Sequence, residues 1–313
     1  MTNTPLAFDG VLFFPVTPFT PDDTVDYDLL AEHTGRRLAF GPGGVSLACS
    51  TGEFHALSRD EVTTVTRTAV DVVNGAVPVV AGVGGSLGDA RILARESEEA
   101  GADALLVLPP YLVGAPVSGL VRYVEEVAAA NGLPVIVYYR GKVLFTADAL
   151  GRLAQNPKVI GFKDGTGDVG LAQEIVLAVE AADRDDFQLF NGLLTAEITQ
   201  GAYRGLGVLL YSSASFAMIP ELSRAHYLAY SSGDETTRLL LLLLLLRNFY
   251  QPFVRLRDQT PGFGVSLIKA GLRLRGMDVG SVRPPLMDPN PEQTAELERL
   301  LAIGDHLVEG LGA

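Results

Sequence analysis

The chain has 313 residues, 48% hydrophobic and 19% charged, which is enough apolar material for a large core and unlike a disordered protein. Its formal net charge of −13 excludes binding to nucleic acid by neutralising phosphate, although a local pocket can still attract a small acidic molecule. One cysteine, Cys49, excludes an intrachain disulfide and a Cys-rich zinc site, and His33, His55, His226 and His306 lack metal-ligand spacing.

The N-terminus has no basic region of the kind that opens a signal peptide, and Pro15 and Pro18 interrupt its short apolar run. The expectation is a soluble, cytoplasmic protein with no membrane partner. Eight apolar runs then follow in order: "VLFFPVTPF" (11–19), "GVSLACS" (44–50), "PVVAGVG" (78–84), "ALLVLPP" (104–110), "PVIVYY" (134–139), "VIGFKD" (159–164), "FQLFNG" (187–192) and "GVLLYSS" (207–213). Most are continuous rather than alternating, as parallel strands covered on both faces require.

Between the runs lie helical spacings with start signals. Ser58 to Glu61 is a capping-box pattern, and Ser118 and Thr146 are candidate caps for the segments after the fourth and fifth runs. Eight strand–helix units predict a (β/α)8 TIM barrel over residues 1–232. An open doubly wound sheet is the alternative, but no glycine-rich phosphate fingerprint follows the first run. "GVGGSLGD" (82–89) fails that pattern at Leu87. Three helical stretches, about 234–257, 264–275 and 291–310, make residues 233–313 a C-terminal helical segment. Eight leucines, Leu239 to Leu246, are too few for a membrane span of roughly 20 residues. They read as a helix buried in the protein or at a subunit contact. With Tyr111 and Phe249 as exposed aromatics, they predict a homo-oligomer.

In a TIM barrel the reacting groups stand where strands end, and the unusual polar residues of this chain fall there. The second run ends in Ser50-Thr51-Gly52-Glu53, the fifth in Tyr138-Tyr139-Arg140, the sixth in Lys163-Asp164, the seventh in Asn191-Gly192 and the eighth in Ser212-Ser213. Lys163 is one of four lysines. Lys158 precedes its strand on the opposite rim, Lys142 lies in a loop, and Lys269 lies on an appended helix. Strand alternation puts Val159, Gly161 and Lys163 on one face and Ile160 and Phe162 on the other. With the bulky pair outside, Gly161 leaves space inside and Lys163 points into a pocket. Desolvation there lowers an amine's pKa and yields the neutral nucleophile of a Schiff base. The competing reading is a lysine that snorkels out to solvent.

Tyr138 is the candidate proton relay and Tyr139 the candidate packing aromatic; alternation separates them without saying which faces inward. Ser50, Thr51 and the amides entering Gly52 can hold a carboxylate, or they serve as cap and turn residues. Arg140, Ser212 and Ser213 are candidates for a second carboxylate, with a surface arginine as the alternative role of Arg140. Glu53 reads as structural and Cys49 as a small core residue.

"STGEFHALS", "VIVYYR" and "GFKDGTGD", in this order, resemble the dihydrodipicolinate synthase and N-acetylneuraminate lyase family. That resemblance implies a (β/α)8 barrel with a C-terminal helical segment, a Schiff base between Lys163 and a 2-oxo acid, and Tyr138 as the acid–base group. It also implies Ser50 and Thr51 at the 2-oxo acid's carboxylate and a homotetramer. Within the family, "PPYL", "TAE", "YSSASF", "VSLIKAG" and "VRPPL" resemble a hydro-lyase branch that dehydrates and decarboxylates a 2-oxo sugar diacid. Gly192, Ser212, Ser213 and Arg140 would complete that site, and the implied chemistry needs no metal or organic cofactor. Tyr139 stands where the branch has asparagine, and Ala217 and Met218 stand where another asparagine is expected. Other 2-oxo acid aldolases or synthases of the family, and a non-catalytic sugar-acid-binding barrel, are the remaining readings.

Overall fold

The apolar runs become Val11–Phe13 (β1), Gly44–Leu47 (β2), Val79–Val83 (β3), Ala104–Val107 (β4), Val135–Tyr139 (β5), Val159–Asp164 (β6), Gln188–Asn191 (β7) and Leu210–Ser213 (β8). In the computed structural model, which describes residues 6–110, 113–141, 145–231 and 235–311, these strands close into one parallel barrel in sequence order. Tyr111, Leu112, Lys142 and the join expected at 232 and 233 lie outside the described residues.

Helices Tyr27–Leu38 (α1), Arg59–Val73 (α2), Leu87–Glu99 (α3), Val117–Ala129 (α4), Ala147–Ala154 (α5), Val169–Glu180 (α6), Gln200–Gly205 (α7) and Pro220–Ser231 (α8) follow the strands. Ser58 and Glu61 form the capping box that starts α2, and Thr146 caps α5. Ser118 caps nothing. The helix begins ahead of it, at Val117 behind the extended Pro116, so Ser118 lies inside the first turn.

Two separate apolar clusters result from strand alternation. Outward residues such as Phe13, Leu105, Val137 and Phe162 pack under the helices, while Leu12, Phe14, Val80, Leu106, Ile136 and Phe190 fill the barrel. One strand breaks the alternation. Val135 pairs with Val159, but the next residue, Ile136, pairs with Gly161, so Ile160 is an extra residue in a β-bulge. Val159 therefore belongs to the outer cluster and Ile160 packs toward the inner one, the reverse of the simple parity expectation. The bulge resets the phase, and Phe162 faces out while Lys163, opposite Tyr138, faces in. Gly161 leaves no open space either. A Cβ there would meet the Gln188 carbonyl oxygen at 2.6 Å.

The C-terminal segment comprises Glu235–Leu245 (α9), Gln251–Arg257 (α10), Phe263–Leu274 (α11) and Pro291–Leu311 (α12). A π-turn at Leu246–Tyr250 joins α9 to α10, so the helix runs on well past the leucine stretch. Arg238–Arg257 is long and apolar enough, by length and composition alone, to cross a membrane. Yet Leu242, Leu245, Phe249 and Phe253 are buried in the same outer cluster as the barrel helices. Phe249 is thus core and not an exposed aromatic. Leu239, Leu240, Leu243 and Leu244 are the exposed face.

Candidate active site

Lys163 ends the inward row of β6 and is 5% exposed. Its Nζ donates to the Gly192 carbonyl oxygen at 2.8 Å and lies 4.2 Å from the Tyr138 ring centroid and 5.0 Å from that of Phe14. Asp164, next in sequence, points out of the barrel. Its carboxylate accepts from Thr166 N and Oγ1 at 2.8 Å and from the Tyr203 hydroxyl. Among the described residues no carboxylate forms an ion pair with Lys163. Burial is the main force on the amine and lowers its pKa to about 7; the Arg140 charge pushes the same way, while Cys49 and Asp164 oppose. Burial thus favours the neutral amine.

Tyr138 is the inward member of its pair. Burial raises its pKa, against the pull of the Arg140 guanidinium and of the nearby Ser50 side chain. Tyr139 packs outward against Phe162, at 4.9 Å between ring centroids, and its hydroxyl lies 3.3 Å from that of Thr166. Two glycines make the Lys–Tyr contact possible, and only one of them was a sequence candidate. A Cβ on Gly192 would meet Lys163 Cγ at 2.4 Å and Nζ at 2.9 Å, and one on Gly165 would meet the Tyr138 hydroxyl at 3.0 Å. Glycine-rich sequence around the lysine was the available signal for Gly165.

The turn after β2 brings Ser50 and Thr51 to the same cavity as Lys163 and Tyr138. Gly52 backs that turn. Its carbonyl accepts from Thr17 Oγ1 at 2.8 Å, and a Cβ there would meet the Ala48 amide nitrogen at 3.2 Å and the Pro15 carbonyl oxygen at 3.4 Å. Glu53 then adopts a left-handed conformation (φ 58°) and is held from the C-terminal segment: Lys269 Nζ lies 2.6 Å from its carboxylate, and the Arg283 amide donates to it at 2.9 Å. The structural role expected of Glu53 thus has a specific partner that sequence reading missed. Cys49 is buried beside this turn, and burial pushes its thiol up to about 12, which leaves it inert.

Ser212 lines the Lys163 cavity and donates to the Leu193 carbonyl oxygen at 3.2 Å. Ser213 does not reach it. Alternation along β8 turns it outward, where its hydroxyl meets Glu197 and, at 2.9 Å, Ser215. Arg140 and Gly192 border both the Lys163 cavity and a wider outer cavity of about 540 Å³. His55, Arg257, Asp258 and Thr260 line the outer cavity, and none of them was a sequence candidate. Tyr139 and Ala217, the positions that depart from the resembled branch, border neither cavity. Ala217 is buried and its carbonyl accepts from Arg37 Nε at 2.8 Å. Among the described residues, no three His, Cys, Asp or Glu side chains group as metal ligands.

A buried amine, a phenol and a Ser-Thr turn at the strand ends of a parallel barrel are the kinds of group that a Schiff-base reaction uses. The model of the dihydrodipicolinate synthetase family matches residues 7–303. The chain belongs to this family. A relative from Streptomyces avermitilis, named probable 5-dehydro-4-deoxyglucarate dehydratase 1, is 47% identical across 99% of both chains. One from Streptomyces griseus with the name probable 5-dehydro-4-deoxyglucarate dehydratase is 46% identical across the full length of both. Among solved structures, dihydrodipicolinate synthase from Oceanobacillus iheyensis superposes with a TM-score of 0.86 over 96% of this chain and 97% of that one, at 24% identity, and shows the fold. A prophage protein of the same family from E. coli K12, determined in complex with pyruvate, gives a TM-score of 0.85 at 26% identity, over 95% of this chain and 99% of that one.

Proposed function

We propose that this member of the dihydrodipicolinate synthetase family converts 5-dehydro-4-deoxyglucarate to 2,5-dioxopentanoate, water and carbon dioxide through an imine on Lys163. The observation that carries this reading is the buried Lys163 amine, free of a carboxylate partner among the described residues, with its Nζ over the Tyr138 ring. The near-full-length relatives that carry the dehydratase name support the choice of substrate.

The carbons are counted from the carboxylate beside the ketone. The neutral Lys163 amine adds to C2, and loss of water gives an iminium. Ser50, Thr51 and their amides hold the C1 carboxylate. A proton leaves C3, relayed by Tyr138, and the iminium takes the electron pair to become an enamine. The enamine expels the C4 hydroxyl as water and leaves a conjugated iminium. The C5–C6 bond then breaks. Its electrons flow through C4 and C3 to the nitrogen, and C6 leaves as carbon dioxide. Protonation at C3, collapse of the C5 enol to an aldehyde and hydrolysis of the imine release product and lysine. The lysine itself is the electron sink.

The purified protein, given the sugar diacid, should release one carbon dioxide per product and no pyruvate. Release of pyruvate instead would make it an aldolase of the same family. We further infer a homotetramer in the cytoplasm. The exposed leucine face of α9 supports the oligomer. A light-scattering mass near the 33.2 kDa protomer would refute the oligomer.

A further inference from the structure

A substrate whose ketone meets Lys163 has little room around the amine. The cavity there is lined by Phe14, Lys163 and Ser212, and the remaining carbons must pass between Ser50, Tyr138, Arg140 and Gly192, which border both cavities. The far end of the substrate therefore lies in the outer cavity, among groups supplied largely by the C-terminal segment. In a chain of net charge −13, the charged side chains lining that space among the described residues are two arginines, Arg140 and Arg257, and one carboxylate, Asp258.

Arg257 is fixed before any ligand arrives. Its Nε lies 2.8 Å from Asp258 Oδ1, and its Nη1 donates to Thr195 Oγ1 at 3.1 Å. Thr195 is buried and bridged to the end of β8 at Ser213, so the contact ties the guanidinium to the barrel. Among the described residues, Nη2 has no acceptor. A planar cation already oriented by two contacts loses little further entropy on gripping a carboxylate.

We infer that Arg257 is a specificity-determining residue that, with Arg140, holds the carboxylate at the far end of the substrate. This rests on the sugar-diacid reading above and deepens it. The helical segment after the barrel selects a diacid over a 2-oxo monoacid. Asp258 competes for the same guanidinium and weakens the grip, which suits a carboxylate that must afterwards leave as carbon dioxide.

Arg257→Gln and Asp258→Asn separate this role from a structural one. Arg257→Gln should raise KM for the diacid on the order of 10- to 100-fold, the range for losing a charge-assisted contact, and change kcat far less. Borohydride trapping of pyruvate, which has no second carboxylate, should proceed in the same variant and report an intact imine site. Asp258→Asn should lower KM several-fold, the opposite direction. The assignment is overturned by a KM for Arg257→Gln within twofold of wild type, by pyruvate trapping that falls in step with diacid turnover, or by both variants moving KM the same way. Wild-type protein that traps pyruvate but releases no carbon dioxide from the diacid would instead overturn the underlying reading, and this assignment with it.

Discussion

Lys163 and Lys269 are both buried in this protein, 5% and 0% exposed, and they make opposite use of burial. Lys269 reaches from α11 to the Glu53 carboxylate at 2.6 Å, donates to the Ser281 carbonyl oxygen at 2.9 Å and lies 3.9 Å from the centre of the Phe19 ring. Desolvation still outweighs Glu53 and lowers its pKa to about 8, but the ion pair is closed and borders neither cavity. Lys163 suffers the same desolvation, has a neutral carbonyl as its acceptor, and opens onto a cavity. Burial alone does not mark a catalytic lysine. Among the described residues, the missing carboxylate partner, together with access, separates Lys163, the candidate, from Lys269.

The comparison breaks first on Lys163→Arg. A guanidinium stays protonated and forms no imine, so turnover should fall by at least about a thousandfold and the borohydride adduct should vanish from the mass spectrum. Tyr138→Phe should keep the adduct and slow turnover by about 10²- to 10⁴-fold. An adduct on another lysine would show that the wrong amine has been chosen.

Stability should show the reverse order. Lys269→Met leaves Glu53 buried and unpaired, which costs about 3–5 kcal/mol in chemical denaturation, and adding Glu53→Gln should recover much of that. Lys163→Met leaves no charge behind and should be neutral or stabilising. Equal losses for the two variants would refute the distinction.

The smallest effect is in the pH dependence. Below about 7 both the folded and unfolded chains carry the Lys163 proton. Between about 7 and the ordinary lysine value of 10.5, the unfolded chain keeps the proton that the folded chain has released. The unfolded state then binds more protons, so stability rises with pH, by at most about 1.4 kcal/mol per unit from this group. Lys269 adds the same sign only above about 8. Denaturation between pH 7 and 8 should therefore show a shallower upward slope in Lys163→Met than in Lys269→Met/Glu53→Gln, the buried His33 and His226 supplying part of what remains.

The strands were legible because a parallel strand covered on both faces is written as an unbroken apolar run. Lys163, Tyr138, Ser50 and Thr51 were legible because such strands deliver their last residues to one face of the barrel. Ser213 could have been excluded by applying to β8 the alternation used on β6. Other features leave no local trace. Gly165 and Gly192 matter for what a Cβ would strike, which depends on side chains from other strands. The Glu53–Lys269 pair and Arg257 join the C-terminal helices to loops far away in the sequence, so neither partner shows a pattern by itself.

The extra residue at Ile160 acts as a phase switch for the enzyme. Every substitution discussed above changes what a side chain is; the bulge decides which way side chains point. Pairing Ile160 into the ladder as an ordinary residue, with Val159 still anchored under the helices, would turn Phe162 toward the substrate and the Lys163 amine out among apolar helix residues, whereas deleting Ile160 would leave both as they are. A barrel of this topology thus keeps or loses its amine by whether one residue is looped out of the ladder or paired into it. When related barrels are compared, the pairing register of β6 therefore carries as much information as the lysine itself.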